Sequence, residues 1–319
     1  MFHASNGCAF ALLFQKIMYG HDFMRSKKRK GCYDMQAKKL RQLLNKPGII
    51  TAPGAYDTWS ARLVEMAGFP AVYMTGYGVS ASAIGRPDIG LLSMTEMVTQ
   101  GKNMAAVLNV PLIADGDNGY GGVLNVVRTV QEYERAGIAA IQLEDQVLPK
   151  RCGHMEGKQL VPKSEMVSKV KAAAYARKNE DFVIIARTDA RAVNGFDDAT
   201  DRALAYADAG ADVIFVEAPQ SEEEMQEVAR IISKPLMANM VEHGKTPLLP
   251  GKKLESLGYK IVIYPVAALY AATQAVNGLL ASLRDNDTTL GYRAHMVQFP
   301  EFNTLIGLAQ EREMENQCL

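Results

Sequence analysis

The sequence predicts a (β/α)8 TIM barrel. Eight short, near-continuous apolar runs are spaced along the chain, the pattern of parallel strands buried on both faces. Helical stretches lie between them, giving the alternating order of an α/β fold. Polar residues recur just after each apolar run, where such barrels gather their functional groups. A doubly wound open sheet shares the first two features, and the third favours the barrel. The chain has 319 residues, 48% of them hydrophobic, enough for one large domain. That domain is expected over 35–319, with helices at its C-terminal end.

Residues 1–34 differ from the rest. Cys8 to Phe14 is apolar but lacks a basic lead and a small-residue cleavage site, so it does not read as a signal peptide. Arg25 to Lys30 reads as a solvated basic tail, and Met35 begins a helical pattern. The first strand, Ile49 to Ala52, leads into Gly54-Ala55-Tyr56-Asp57 and a helix over Trp59 to Ala67. The second, Ala71 to Met74, leads into Thr75-Gly76-Tyr77-Gly78. Pro111 to Ala114 ends at Asp115-Gly116-Asp117, with a helix over Val123 to Ala136. Ala139 to Leu143 ends at Glu144-Asp145, with a helix over Lys163 to Arg177. Phe182 to Ala186 ends at Arg187-Thr188-Asp189, with a helix over Ala199 to Ala209. Val213 to Val216 ends at Glu217, with a helix over Glu222 to Ile232. Pro235 to Ala238 leads to Asn239, and Lys260 to Tyr264 leads to Pro265. Gly68, Gly137 and Gly210 each follow a helix-ending alanine, as left-handed C-caps do.

Lysines and arginines number 35, matched by 35 acids. This balance points away from nucleic-acid or membrane-surface binding. The four cysteines, Cys8, Cys32, Cys152 and Cys318, show no paired spacing. That argues for a reducing compartment and a cytoplasmic location.

The chemistry concentrates at the strand ends. Asp115, Asp117, Glu144 and Asp145 follow two successive strands. Clustered without a cation they would repel, and a hard divalent ion such as Mg2+ suits them. The alternative is that they cap helices or pair with lysines. Gly119 to Gly122 suits a tight, mobile turn, but a P-loop's Lys and Ser/Thr are missing. In Lys150-Arg151-Cys152-Gly153-His154, neighbouring cations favour the thiolate of Cys152. The alternative is a loop cysteine among surface charges. Arg187 can hold a carboxylate through two hydrogen bonds or pair with an acid such as Glu217. Thr75-Gly76-Tyr77-Gly78 offers N–H groups to an oxyanion or forms a plain turn. Asn239 and His154 are further polar candidates.

Ala114-Asp115-Gly116-Asp117-Asn118-Gly119-Tyr120-Gly121, Glu144-Asp145-Gln146, Lys150-Arg151-Cys152-Gly153-His154 and Ala186-Arg187-Thr188-Asp189-Ala190 together resemble the signature of the isocitrate lyase/phosphoenolpyruvate mutase superfamily. The resemblance covers about 36–310, and the cysteine motif resembles the carbon–carbon lyase branch. It implies Mg2+, with Mn2+ as a possible substitute, held at Asp115 and Asp117, partly through water. Asp88 and Glu144 complete the candidate metal set. It implies Cys152 as catalytic acid. The candidate substrate-facing set is Tyr73, Thr75, Gly76, Tyr77, Gly153, His154, Arg187, Glu217, Asn239, Pro265 and Tyr270. A homotetramer with exchanged C-terminal helices is also implied.

Enzymes of this branch that cleave methylisocitrate carry an arginine for the third carboxylate, and the matching position here is Tyr270. A second C-terminal arginine is also absent around Phe299-Pro300-Glu301. A buried carboxylate without a cation is costly. The expected substrate is therefore a 2-hydroxydicarboxylate with apolar substituents, 2,3-dimethylmalate, cleaved to pyruvate and propionate. Methylisocitrate cleavage, oxaloacetate hydrolysis and a non-catalytic ligand-binding barrel are the alternatives. Loops at 119–122 and 150–158 are expected to close over the site.

Overall fold

The computed structural model describes residues 30–153, 155 and 157–319. Most of the 1–34 tail, and His154, lie outside the described residues. Eight parallel strands form the core: β1 (Ile50–Ala55), β2 (Val72–Met74), β3 (Leu112–Asp115), β4 (Ala140–Glu144), β5 (Val183–Thr188), β6 (Val213–Val216), β7 (Met237–Asn239) and β8 (Ile261–Tyr264). Their order is β6-β5-β4-β3-β2-β1-β8-β7. β1 pairs with β8 from Ile50 opposite Ile261. The ring nearly closes where Ile214 of β6 bridges Leu236, just before β7. This is the expected (β/α)8 barrel, and every apolar run overlaps a strand. β4 and β5 run further than their apolar character, because Glu144 pairs with Arg187 in the ladder.

Side chains alternate between two cores, as strand geometry requires. Ile113, Ala140, Val183, Ile185, Val213, Phe215, Met237, Ile261 and Ile263 fill the barrel interior. Ala114, Ile141, Leu143, Ile184, Ala186, Ile214, Ala238 and Val262 pack outward beneath the helices. Continuing this parity past the apolar residues aims Asp115, Glu144, Arg187, Glu217 and Asn239 inward. It aims Asp145 and Thr188 outward.

The first described helix, Lys30–Asn45, crosses the expected boundary at residue 35. Its Leu40, Leu43 and Leu44 pack against the interior core. Arg41 fastens it to the carbonyls of Asp181 and Phe182, each at 3.1 Å. The helices foreseen in the sequence form at Thr58–Met66, Val123–Arg135, Lys163–Ala176, Phe196–Asp208 and Glu222–Ile231. Gly68, Gly137 and Gly210 have φ of 86°, 84° and 110°, so a left-handed residue ends three of them. Helices at Gly76–Ile84 and Met94–Val107 were not singled out in the sequence. Two glycines open the first, and a Ser93–Glu96 capping box starts the second.

The barrel unit ends at Leu269, and Tyr270–Leu319 forms a separate compact unit. The latter holds most of the Ala267–Asn286 helix, a 3-10 turn at Leu290–His295, and helices at Phe299–Leu305 and Leu308–Cys318. Tyr270 is its first residue. Among the described residues, no helix is long and apolar enough to cross a membrane.

Candidate active site

Two charged clusters occupy the C-terminal ends of the strands. The first gathers Asp88, Asp115 and Asp117. Asp115 ends β3, and its Oδ1 accepts the Asp117 N–H at 3.0 Å. Asp117 takes a φ of 47°, a strained geometry that clusters at functional sites. Asp88 follows a turn in which the Ser80 hydroxyl donates to the carbonyls of Arg86 and Pro87 at 2.9 and 3.1 Å. Lys150 Nζ lies 2.7 Å from Asp88 and 2.6 Å from Asp117 Oδ1. The lysine side chain is only 2% exposed. Burial pushes the Asp117 carboxyl up to about 6; Asp115 and Asp88 add to this and Lys150 opposes it. The helix Gly76–Ile84 starts against this cluster. A Cβ at Gly76 would lie 2.6 Å from Asp115 Oδ2. Thr75 caps that helix by accepting the Gly78 N–H, so Thr75-Gly76-Tyr77 is a helix N-terminus facing a carboxylate.

These oxygens fit Mg2+. Asp117 Oδ1 is buried and receives no well-aligned hydrogen bond, and every donor is a hard carboxylate oxygen. Among the described residues, no group of three or more His, Cys, Asp or Glu side chains is drawn together as a chelate. Mg2+ commonly binds through one or two carboxylates and several waters. Glu144, in the expected metal set, faces Arg187 at 3.4 Å. Burial pushes its carboxyl well above the usual range, against Arg187 and Lys150, and its Oε1 has no hydrogen-bond partner.

The second cluster centres on Arg187. Its guanidinium stacks on Phe215 at 5.2 Å and donates to both oxygens of Asp189 at 2.9 and 3.0 Å. Glu217 lies 3.8 Å away and accepts from Asn239 Nδ2 at 3.2 Å. Burial works against the Asp189 charge, but Arg187 and Lys158 outweigh it and hold the carboxyl at about 2. The Tyr73 hydroxyl donates to Gln142 inside the barrel at 3.0 Å, below these groups. Pro265, after β8, packs against Gly54, where a Cβ would sit 2.3 Å from its carbonyl oxygen.

The loop carrying Cys152 lies against this second cluster. A Cβ at Gly153 would fall 2.3 Å from both Arg187 Nη2 and Glu217 Oε1. Gln146 holds the approach to the cysteine from both sides. It accepts the Arg151 N–H at 3.0 Å and donates to the Arg151 carbonyl at 2.8 Å. The loop base closes where Val147 N donates to Gln159 O at 2.8 Å. Cys152 is half-buried and not in a disulfide.

Asp145 does not join the metal carboxylates, as its outward parity dictates. It accepts hydrogen bonds from Thr188, the Asp189 N–H and Tyr206 at 2.8, 2.9 and 2.8 Å, and from Arg202 at 3.3 Å. The Asp145→Ala variant leaves the buried Thr188, Asp189 and Tyr206 donors unmatched and Arg202 with Asp198 as its remaining carboxylate. A loss of about 3–5 kcal/mol is expected, read as a lower midpoint in urea.

The profile of the phosphoenolpyruvate phosphomutase family matches residues 40–284. The chain belongs to the phosphoenolpyruvate phosphomutase family. The chain is 54% identical over 280 residues to 2,3-dimethylmalate lyase of Eubacterium barkeri, covering 88% of this chain and 97% of the relative. It is 45% identical to 2-methylisocitrate lyase of Aeropyrum pernix, covering 84% and 86%. Among solved structures, oxaloacetate acetylhydrolase bound to 3,3-difluorooxalacetate matches with TM-score 0.85 and 37% identity, covering 89% and 97%. Phosphonopyruvate hydrolase bound to oxalate and Mg2+ matches with TM-score 0.80 and 32% identity, covering 88% and 98%.

In this phosphoenolpyruvate phosphomutase family member, four side chains at the site were not singled out by the sequence reading. Lys150, a sequence neighbour of the thiol, bridges two carboxylates. Asp189, Lys158 and Gln146 organise the loop and Arg187. Asp189 lies in the strand-end motif Ala186-Arg187-Thr188-Asp189-Ala190, which does not show its pairing with Arg187 and Lys158. Gln146 and Lys158 act through loop contacts that carry no periodic mark.

Proposed function

We propose that this chain is a Mg2+-dependent carbon–carbon lyase that cleaves a 2-hydroxydicarboxylate, 2,3-dimethylmalate, into pyruvate and propionate. The observation carrying this reading is the approach of the Cys152-Gly153 loop to Arg187 and Glu217, across the strand ends from the carboxylates of Asp115 and Asp117. The similarity to 2,3-dimethylmalate lyase along nearly its whole length supports it.

Asp115 and Asp117 would hold Mg2+, with Asp88 beside them; Mn2+ is a plausible substitute on the same oxygen donors. When bound there, Mg2+ would supply Lewis acidity to the substrate. Arg187 and the N–H groups of Thr75-Gly76-Tyr77 orient substrate carboxylates. One of the buried carboxylates at the strand ends would accept the hydroxyl proton. As that proton leaves, C2 becomes the keto carbon of pyruvate and the C2–C3 pair moves to C3. Cys152 then protonates C3, giving propionate.

A coupled pyruvate-release assay over several 2-hydroxydicarboxylates tests the reading. The expected preference for 2,3-dimethylmalate over methylisocitrate is at least about tenfold in kcat/KM, or about 1.4 kcal/mol. The Tyr270→Arg variant should shift the ratio toward methylisocitrate. A parent that favours methylisocitrate, or that releases acetate and oxalate from oxaloacetate, overturns the substrate assignment.

Metal binding should depend on pH through Asp117. Its raised value means that a proton competes with the metal below pH about 6. Calorimetry should show the affinity for Mg2+ falling by up to about tenfold per pH unit there, and level above it. The sign for the fold is opposite. Between the unfolded 3.8 and the folded value of about 6, the native state binds more protons. Metal-free stability therefore declines as pH rises through that window.

The reading includes a cytoplasmic homotetramer with exchanged C-terminal helices. Supporting it, the Ala267–Asn286 helix buries none of its residues and leaves Val276, Leu280 and Leu283 exposed.

A further inference from the structure

We propose that Lys158 is a positioning residue that latches the Cys152 loop over the Arg187 anion site, acting through Asp189. The Lys158 side chain is 2% exposed although it belongs to a loop. A buried ammonium is costly unless matched, and this one has two partners. Its Nζ donates to Asp189 Oδ1 at 2.7 Å and to the carbonyl of Gly153, the residue after Cys152. The same Asp189 carboxylate holds the Arg187 guanidinium through two hydrogen bonds. Its backbone N–H is fixed in turn by Asp145 at 2.9 Å. One carboxylate thus ties the cysteine loop and the anion-binding arginine to one frame.

Two further contacts of the loop run elsewhere. Gln146 holds Arg151 from the loop's own base, and Lys150 reaches the separate Asp88–Asp117 cluster. Lys158 joins the segment around Cys152 to the end of β5. Gly157, which precedes Lys158, has a φ of 75°, a left-handed conformation suited to glycine. Charge-assisted hydrogen bonds are roughly twice as strong as neutral ones, so losing this pair should loosen the segment around Cys152.

The role in turnover rests on Cys152 being the acid of the proposed lyase, whereas the loop readouts do not. In Lys158→Met, amide hydrogen exchange across 147–159 should accelerate by at least about tenfold. Alkylation of Cys152 by iodoacetamide, localised by peptide mapping, should rise in parallel. The kcat for pyruvate release should fall by about tenfold or more, while calorimetric Mg2+ affinity stays at the parental value. A folded variant with parental loop exchange and parental Cys152 alkylation overturns the latch. If Lys158→Met does not fold, Asp189→Asn, which keeps the shape and removes the charge, should accelerate the same loop exchange. Parental exchange in a folded Asp189→Asn also overturns it. A parent enzyme without lyase activity would defeat the functional reading and leave the exchange result to decide the latch.

Discussion

The Cys152→Ser variant is expected to lose about 10^2- to 10^4-fold in kcat, the usual contribution of a positioned acid. A thiol titrates near ~8.5, within reach of a neutral-pH proton transfer, and a serine hydroxyl does not. Cleavage of C2–C3 leaves a carbanionic centre beside a carboxylate, so the step stalls without a donor at that carbon. The substitution is nearly isosteric and Cys152 is only half-buried, so the fold should be retained. The Gln146 clamp acts on the Arg151 backbone and is untouched. The checks are single-turnover pyruvate formation, the thermal midpoint and Mg2+ calorimetry. A serine variant within about threefold of the parent would remove the thiol from the proton-transfer step.

Removing the metal or its ligands is expected to abolish turnover. EDTA should silence the parent enzyme and added Mg2+ should restore it. Asp115→Ala should be inactive whether or not Mg2+ is added. Lewis-acid stabilisation is worth several kcal/mol, so a loss of at least about 10^3-fold is expected. Asp115 is buried beside the helix N-terminus at Gly76, and its Oδ1 fixes the Asp117 N–H. The substitution therefore removes one proposed ligand and loosens another. A circular dichroism melt separates this from unfolding. Full activity in EDTA, with no metal found by elemental analysis, would refute the metal assignment.

Much of the barrel was legible because burial on both faces writes an apolar run for each strand. The helix-ending glycines were legible because φ at Gly68, Gly137 and Gly210 is positive. Asp145 shows where motif reading fell short. It adjoins Glu144 in sequence, yet adjacent strand residues face opposite sides. Counted from Ile141, which packs outward, Asp145 must point away from the barrel axis. A run that is apolar on both faces does not say which parity faces the axis, so the sequence leaves Glu144 and Asp145 alike and the packing separates them.

The sequence by itself determined the eight-fold alternation and the order of motifs at the strand ends, both of which a linear chain records directly. The packed cores decided that Asp115, Glu144, Arg187, Glu217 and Asn239 face inward. Only the tertiary structure decided how the charges pair. Lys150 joins Asp88 across 62 residues, and Asp145 joins Tyr206 across 61. Lys158 meets Asp189 across 31. Such pairings depend on which loops fold back over the barrel mouth. Burial then sets the charge states, raising Asp117 to about 6 while Arg187 and Lys158 hold Asp189 at about 2. Both aspartates are buried, but Asp117 has one cation against two neighbouring carboxylates, and Asp189 lies between two cations.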